Sequence, residues 1–318
     1  MSQARAGILL LLAFVGAQAF RDVHLGHLFG QLGLFEVALL AFGSAALLFG
    51  ALLLLFDRAQ LRLLAIHWRL VLAVNVTTMA AWTSYFGALR LVEPAAANLA
   101  FSGVAPMAVA WLGAAGLASG ARQARSAGER WLHRGLLATV ILLAIIVSSG
   151  LSGFARLESH AGFAGVALAA FAGIAITAET IFAKQMNQQG ISALAIVGVR
   201  FLLVTGLAAA MVAAMPTPYA GMSEADVSQQ AFVFLLILIG PIYLAQAGLA
   251  LTAPLLSGVI LSVGPVATLA LQSLVADIDL SLAMFGVTVL YSAVAIAAAL
   301  LAARSPGEDG GPNRSAPN

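Results

Sequence analysis

Cysteine is absent from the 318 residues, which removes disulfides, thiolate nucleophiles and cysteine-ligated metals from consideration. Charge is scarce as well: Asp, Glu, Lys and Arg make up 9% of the chain, where a soluble domain carries roughly 25%. A chain this poor in charge cannot cover a water-facing surface. No P-loop or other nucleotide motif occurs, which argues against direct drive by ATP and implies no cofactor. The net charge of +2 is too small to imply nucleic acid as a partner. No paired carboxylates, histidine cluster or Ser/Lys dyad falls at membrane depth, so an enzyme is not expected. His24 and His27 are three residues apart, but two ligands without a carboxylate cluster are too few for a metal. They read as solvated loop residues, so no metal site is expected.

What is abundant is apolar sequence, at 62% of residues. Ten segments, at about 6–22, 32–56, 68–89, 94–117, 132–151, 162–184, 191–215, 230–250, 253–275 and 281–303, match the length needed to cross a hydrocarbon core of roughly 30 Å. The pattern predicts an all-α polytopic membrane protein. Residues 304–318 lack apolar content and read as a disordered cytoplasmic tail. Cytoplasmic loops retain an excess of Lys and Arg. With the N-terminus inside, that side receives Arg5, Arg58, Arg62, Arg69, Arg122, Arg125, Arg130, Arg134, Lys184, Arg304 and Arg314. The other side receives only Arg21, Arg90 and Arg156, an eleven-to-three split that places both termini in the cytoplasm. Arg122, Arg125, Arg130 and Arg134 also suit contact with anionic membrane lipid.

The chain contains a weak internal repeat. A shift of about 158 residues aligns AGILLLLAFVGAQAF (6–20) with AGVALAAFAGIAITA (164–178). The same shift aligns SYFGALRLVEPAAANLAFSGVAPMAVAWL (84–112) with IYLAQAGLALTAPLLSGVILSVGPVATLAL (242–271), so that Tyr85 meets Tyr243. One residue further, Asn98 meets Ser257 and Pro106 meets Pro265. Five spans per half predict two inverted repeats, residues 1–151 and 152–303, the layout on which many secondary transporters are built. The repeat also bears on MSQARAGILLLLAFVGAQAF, which has the layout of a cleavable signal peptide. Because the sixth span is its counterpart, the first is expected to be retained.

With this layout, the YFGALRLVEPAAANLAFSGVAPMAVAWL stretch (85–112), its echo at 243–271 and LAIVGVRFLLV (194–204), the sequence resembles the EamA-type proteins of the drug/metabolite transporter superfamily. The resemblance covers residues 5–303. Two departures stand out. Phe42 and Gly43 occupy the places of Arg200 and Phe201, and the connection RDVHLGHLFGQLG (21–33) is longer than its counterpart KQMNQQGIS (184–192). The resemblance implies a carrier of the bacterial cell inner membrane, usually an exporter of small metabolites or amino acids.

Polar residues on the spans are costly in lipid and therefore mark a pathway or a helix contact. Asn75, Thr78, Trp82 and Tyr85 share one face of the third span at three- and four-residue steps. They suit a cavity for a partly polar solute, or else a helix contact and an interfacial aromatic belt. Tyr243 and Gln246 share a face beside Gly240-Pro241, and Asn98 lies on the fourth span with Ser102 and Pro106. Glu36, near the outer end of the second span, is expected to reach interfacial water. Glu179 and Arg200 lie within the sixth and seventh spans, about 8 Å and 14 Å from their cytoplasmic ends. Two readings stand: a buried ion pair, or a substrate-carboxylate contact by Arg200 and proton exchange by Glu179.

The expected function is secondary transport of a small molecule by alternating access. The mixture of amide, aromatic and charged groups fits an amino acid or amino-acid-derived solute, metallophores among them. Export rests on the resemblance; uptake and a non-transporting scaffold or sensor are the alternatives. The fifth and tenth spans are apolar enough to pack in a homodimer.

Overall fold

Apolar sequence without water must satisfy its backbone internally, and here it does so as α-helix. The computed structural model describes residues 3–29, 32–117, 127–153, 159–215, 224–252, 254–275 and 281–304. No strand occurs among them. In chain order the helices are α1 (Gln3–Leu28), α2 (Leu34–Phe56), α3 (Gln60–Ile66), α4 (Trp68–Leu91), α5 (Pro94–Gly103), α6 (Ala105–Ala114), α7 (Ala127–Ser148), α8 (Ser159–Gln188), α9 (Ala193–Arg200), α10 (Leu202–Ala213), α11 (Glu224–Leu251), α12 (Pro254–Leu261), α13 (Gly264–Val275) and α14 (Leu282–Arg304). Among the described residues, eight helical segments are long and apolar enough to cross a membrane, and α3 with α4, bent by 86°, makes a ninth if taken as one span. α11, 28 residues long, contains the apolar segment at 230–250 and continues through Pro241. The chain is an all-α, multi-pass membrane protein.

Three segments are broken, and each break has a local cause. A proline lacks an N–H and crowds the carbonyl four residues back. Pro106 accordingly separates α5 from α6 at Val104, and Pro265 separates α12 from α13 after Leu261. The break between α9 and α10 at Phe201 has no proline. There the Asn75 side chain reaches across from α4, and its Oδ1 accepts the Leu203 N–H at 3.1 Å. α2, which carries Phe42 and Gly43 in the corresponding place, is unbroken. Left-handed Gly150 (φ 69°) and Gly190 (φ 81°) end α7 and α8, a conformation that Gly adopts without a Cβ penalty.

α4 packs along α8, and α1 along α11. α5 also lies against α8, α13 against α1, α2 against α9 and α10, and α7 against α14. Glycines allow the closest approaches. A Cβ on Gly7 would fall 2.9 Å from the Leu251 carbonyl carbon, and one on Gly165 would fall 2.9 Å from Leu91 Cβ. The interior holds an aromatic cluster in which Phe42 lies 5.3 Å from Phe201, 5.5 Å from Phe86 and 5.2 Å from Trp82 between ring centroids. Leu47, Leu55, Phe56 and Leu274 are exposed, as lipid-facing side chains of a membrane bundle are.

Two expectations are corrected. The first helix does not stop at residue 22; α1 runs to Leu28, and the 21–33 connection shrinks to its last residues. No proline or glycine interrupts residues 17–25, and Val15, Ala19, Val23, Leu25 and Leu28 are all buried, so a core-facing stripe carries the helix past the charges. Arg21 is therefore a buried residue of α1 rather than an outer-loop charge, and His24 is a half-buried helix residue stacked on Phe20. Glu36 is buried as well: it turns back to accept the Gly33 N–H at the start of α2.

Candidate functional site

A buried polar cluster lies where α1, α4 and α5 meet. Arg21 donates to Asp22 Oδ1 through Nε at 2.9 Å and through Nη2 at 2.7 Å. Asp22, fully buried, accepts a further bond from Asn98 Nδ2 on Oδ2 at 2.7 Å. Both carboxylate oxygens are thus engaged, which is what makes a charge pair tolerable in an apolar surround. The Arg21 guanidinium carbon lies 5.3 Å from the Trp82 ring centroid and 5.9 Å from that of Tyr85, within cation–π range. Trp82 meets Tyr85 edge-on at 6.2 Å.

Several polar atoms of this cluster are buried without a hydrogen-bond partner: Trp82 Nε1, Tyr85 Oη and Asn98 Oδ1, with Thr78 Oγ1 one turn further along α4. Leaving a buried donor or acceptor unpaired costs about 1–3 kcal/mol. Three such atoms beside one ion pair, with the Thr78 hydroxyl a turn away, form an incomplete set. Trp82 Nε1 is a donor, Asn98 Oδ1 is an acceptor, and the two hydroxyls serve as either. A small polar molecule could complete them.

Towards the same end of α5, Glu93 is almost fully buried as the residue preceding Pro94. Its Oε2 accepts from Gln272 Nε2 on α13 at 2.9 Å, while Gln272 Oε1 accepts the Ala95 N–H at 3.0 Å. Glu93 Oε1 has no partner. Burial, against a smaller opposing effect of the Gln272 bond, pushes the Glu93 carboxyl up to about 7.

The structure thus brings Trp82, Tyr85 and Asn98 together with Arg21 and Asp22, with Thr78 one turn of α4 away, and engages Asn75, Glu179 and Arg200 in other contacts. Asn75 is committed to the α9–α10 break: Nδ2 donates to the Val71 carbonyl at 3.0 Å while Oδ1 holds Leu203. Glu179 and Arg200 form an ion pair at 3.2 Å, with the guanidinium 5.1 Å from the Phe201 ring centroid. Tyr243 and Gln246 fall on α11, and their side chains lie outside the described residues, as does the tail at 305–318.

Arg21 and Asp22 are the residues that sequence reasoning missed. Charge following an apolar run reads as the end of a span. The available signal was the stripe of Leu11, Val15, Ala19, Asp22, Leu25 and Leu28, which continues at helical spacing across the charges.

Fold and cluster together define a multi-pass helical membrane protein with a polar centre. No family model matches the sequence, and no curated protein is similar to it. Among solved structures, one described only as "Crystal structure of protein" superposes over 97% of this chain and 100% of its own, with a TM-score of 0.60 at 17% identity. That likeness extends to the fold alone.

Proposed function

We propose that the chain is a secondary carrier for a small zwitterionic solute, an amino acid or a compound derived from one. The observation that carries this reading is the buried Arg21–Asp22 pair, tied to Asn98 and flanked by Trp82 and Tyr85. A solute carboxylate meets donors in Arg21 and Trp82 Nε1, and a solute ammonium meets acceptors in Asp22 and Asn98 Oδ1. The charge-neutral pair favours a ligand that is itself neutral overall but carries both charges. Completing the unpaired atoms supplies specificity, since a solute lacking one pole leaves them buried and unpaired. A passive scaffold has no use for such a set.

The carrier has ten spans in two inverted halves, 1–151 and 152–303, and rocks one half against the other around the cluster. Helix packing supports the repeat. Exchanging each helix for its counterpart turns the α1–α11 contact into the α8–α4 contact, the α1–α12 contact into the α8–α5 contact and the α1–α13 contact into the α8–α6 contact. Gly7 meets the turn after α11 as Gly165 meets the turn after α4, and both proline breaks recur. Orientation with both termini inside follows the distribution of basic residues, and placement in the bacterial inner membrane follows the EamA resemblance. The direction we propose is export, in keeping with the EamA resemblance; uptake is the alternative.

The test is an untargeted comparison of extracellular metabolites from bacteria producing the wild-type chain or Asp22→Asn at equal membrane levels. At least one zwitterionic metabolite is expected to accumulate outside wild-type cells and to fall at least about tenfold in the variant, equivalent to 1.4 kcal/mol. Identical profiles would contradict the reading, and depletion outside would reverse the direction.

A further inference from the structure

The Glu93 carboxyl and the Gln272 amide join α5 to α13 at the end of the bundle where α4 turns into α5. This contact does something that the solute cluster does not. Glu93 is covered by protein on all sides, one of its oxygens is held by Gln272, and the other faces no donor. Gln272 is fixed in turn by the Ala95 N–H, so its amide cannot rotate to serve both oxygens. The turn after α11, which corresponds to this one, carries Thr252 rather than a carboxyl. Only one of the two ends therefore has an ionisable contact of this kind among the described residues.

We propose that the Glu93–Gln272 contact is a latch closing this end of the pathway, and that closing it takes up one proton onto Glu93 Oε1. The proposal rests on the carrier reading, of which it supplies a gating residue. The proton adds to the unpaired oxygen, forming an O–H bond and discharging the carboxylate, while Oε2 keeps the Gln272 donor. When the helices part and water reaches the group, the proton leaves to that water. No other reactant is involved.

The surrounding charges do not interfere. On the elements packed against α5 these are Arg5, Arg21, Asp22, His24 and His27 of α1, Arg69 and Arg90 of α4, Glu129, Arg130, His133 and Arg134 of α7, His160, Glu179 and Lys184 of α8, and Arg304 of α14, with Tyr85 and Tyr291 as the titratable phenols. Among the described residues only burial and Gln272 act on the Glu93 carboxyl. α13 and α14 present no Asp, Glu, His or Lys there. An acid held at about 7 when closed in, against 4.5 in water, favours the closed latch fully below about 4.5. That advantage is lost as the pH rises through about 7.

The native absence of cysteine makes the test direct. Full-length protein with Arg90→Cys and Leu274→Cys, at exposed positions of α4 and α13 beside the latch, is spin-labelled in lipid nanodiscs for distance measurement between pH 5 and 8.5. The short-distance population is expected to dominate at pH 5 and to fall with a midpoint near 7. Adding Glu93→Gln, which mimics the protonated acid, should hold it dominant at every pH. Adding Gln272→Leu, which removes the amide, should shift the distribution towards long distances throughout. In parallel, the infrared carbonyl band of a protonated carboxyl should titrate near pH 7 in wild type and be missing in Glu93→Gln. A pH dependence that survives Glu93→Gln, or wild-type distances that ignore pH, would overturn the latch. Neither measurement uses a solute, so a latch that titrates in a protein moving no metabolite counts against the carrier reading alone.

Discussion

Asp22 accepts two bonds from Arg21 and one from Asn98 without any exposure to solvent. Removing one member of such a pair strands the other charge, a loss of about 3–5 kcal/mol, whereas replacing both by apolar groups of similar volume is often neutral. Asp22→Asn is therefore expected to lower the melting temperature of the purified protein sharply, and Asp22→Leu with Arg21→Met to recover most of the loss. Solute binding should not return in the double variant. If it does, the pair is structural. The polar residues of this cluster were legible in part. Trp82, Tyr85 and Asn98 stand out as costly groups on apolar helices, but the charged pair itself was hidden because adjacent opposite charges after an apolar run look like a span's end. Burial of a charge is a tertiary fact, set by the helices that close over it.

The broken helices belong to the scale of elements. Proline announces two of the breaks in the sequence; the third, at Phe201, depends on Asn75 from another helix and has no local signal. Asn75→Ala leaves the Leu203 N–H without its acceptor, which costs about 1–3 kcal/mol. The expected result is a lower melting temperature with unchanged solute affinity, by thermal denaturation and by binding. A fall in affinity at unchanged stability would instead return Asn75 to the pathway. The glycine contacts give a second prediction. A Cβ at Gly165 meets Val92 at 2.5 Å and Leu91 at 2.9 Å, and overpacking of this sort costs about 1–3 kcal/mol. Gly165→Val should destabilise the protein, and Gly7→Val should do so comparably, because Thr252 and Leu251 crowd its Cβ in the same way. Gly16→Val, with open space around its Cβ, serves as the control.

At the scale of the whole molecule, the all-α, multi-pass architecture was legible, and eight helical segments among the described residues are long and apolar enough to cross a membrane, because hydropathy and length act segment by segment. Which helices touch was less legible: a repeat read at low identity names counterparts but not neighbours. The structure supplies the α1–α11 and α4–α8 pairs, each joining one proposed half to the other. Stability and function should then respond differently to pH. If the Glu93 latch governs one end, exchange of solute across the membrane should change through about pH 7 while the fold persists. The most direct measurement of the central claim is isotope counterflow in proteoliposomes loaded with unlabelled amino acids and bathed in the same mixture carrying heavy isotopes. The account predicts saturable entry of at least one labelled zwitterion, abolished by Asp22→Asn; entry no greater than in protein-free liposomes, or undiminished in that variant, would contradict it.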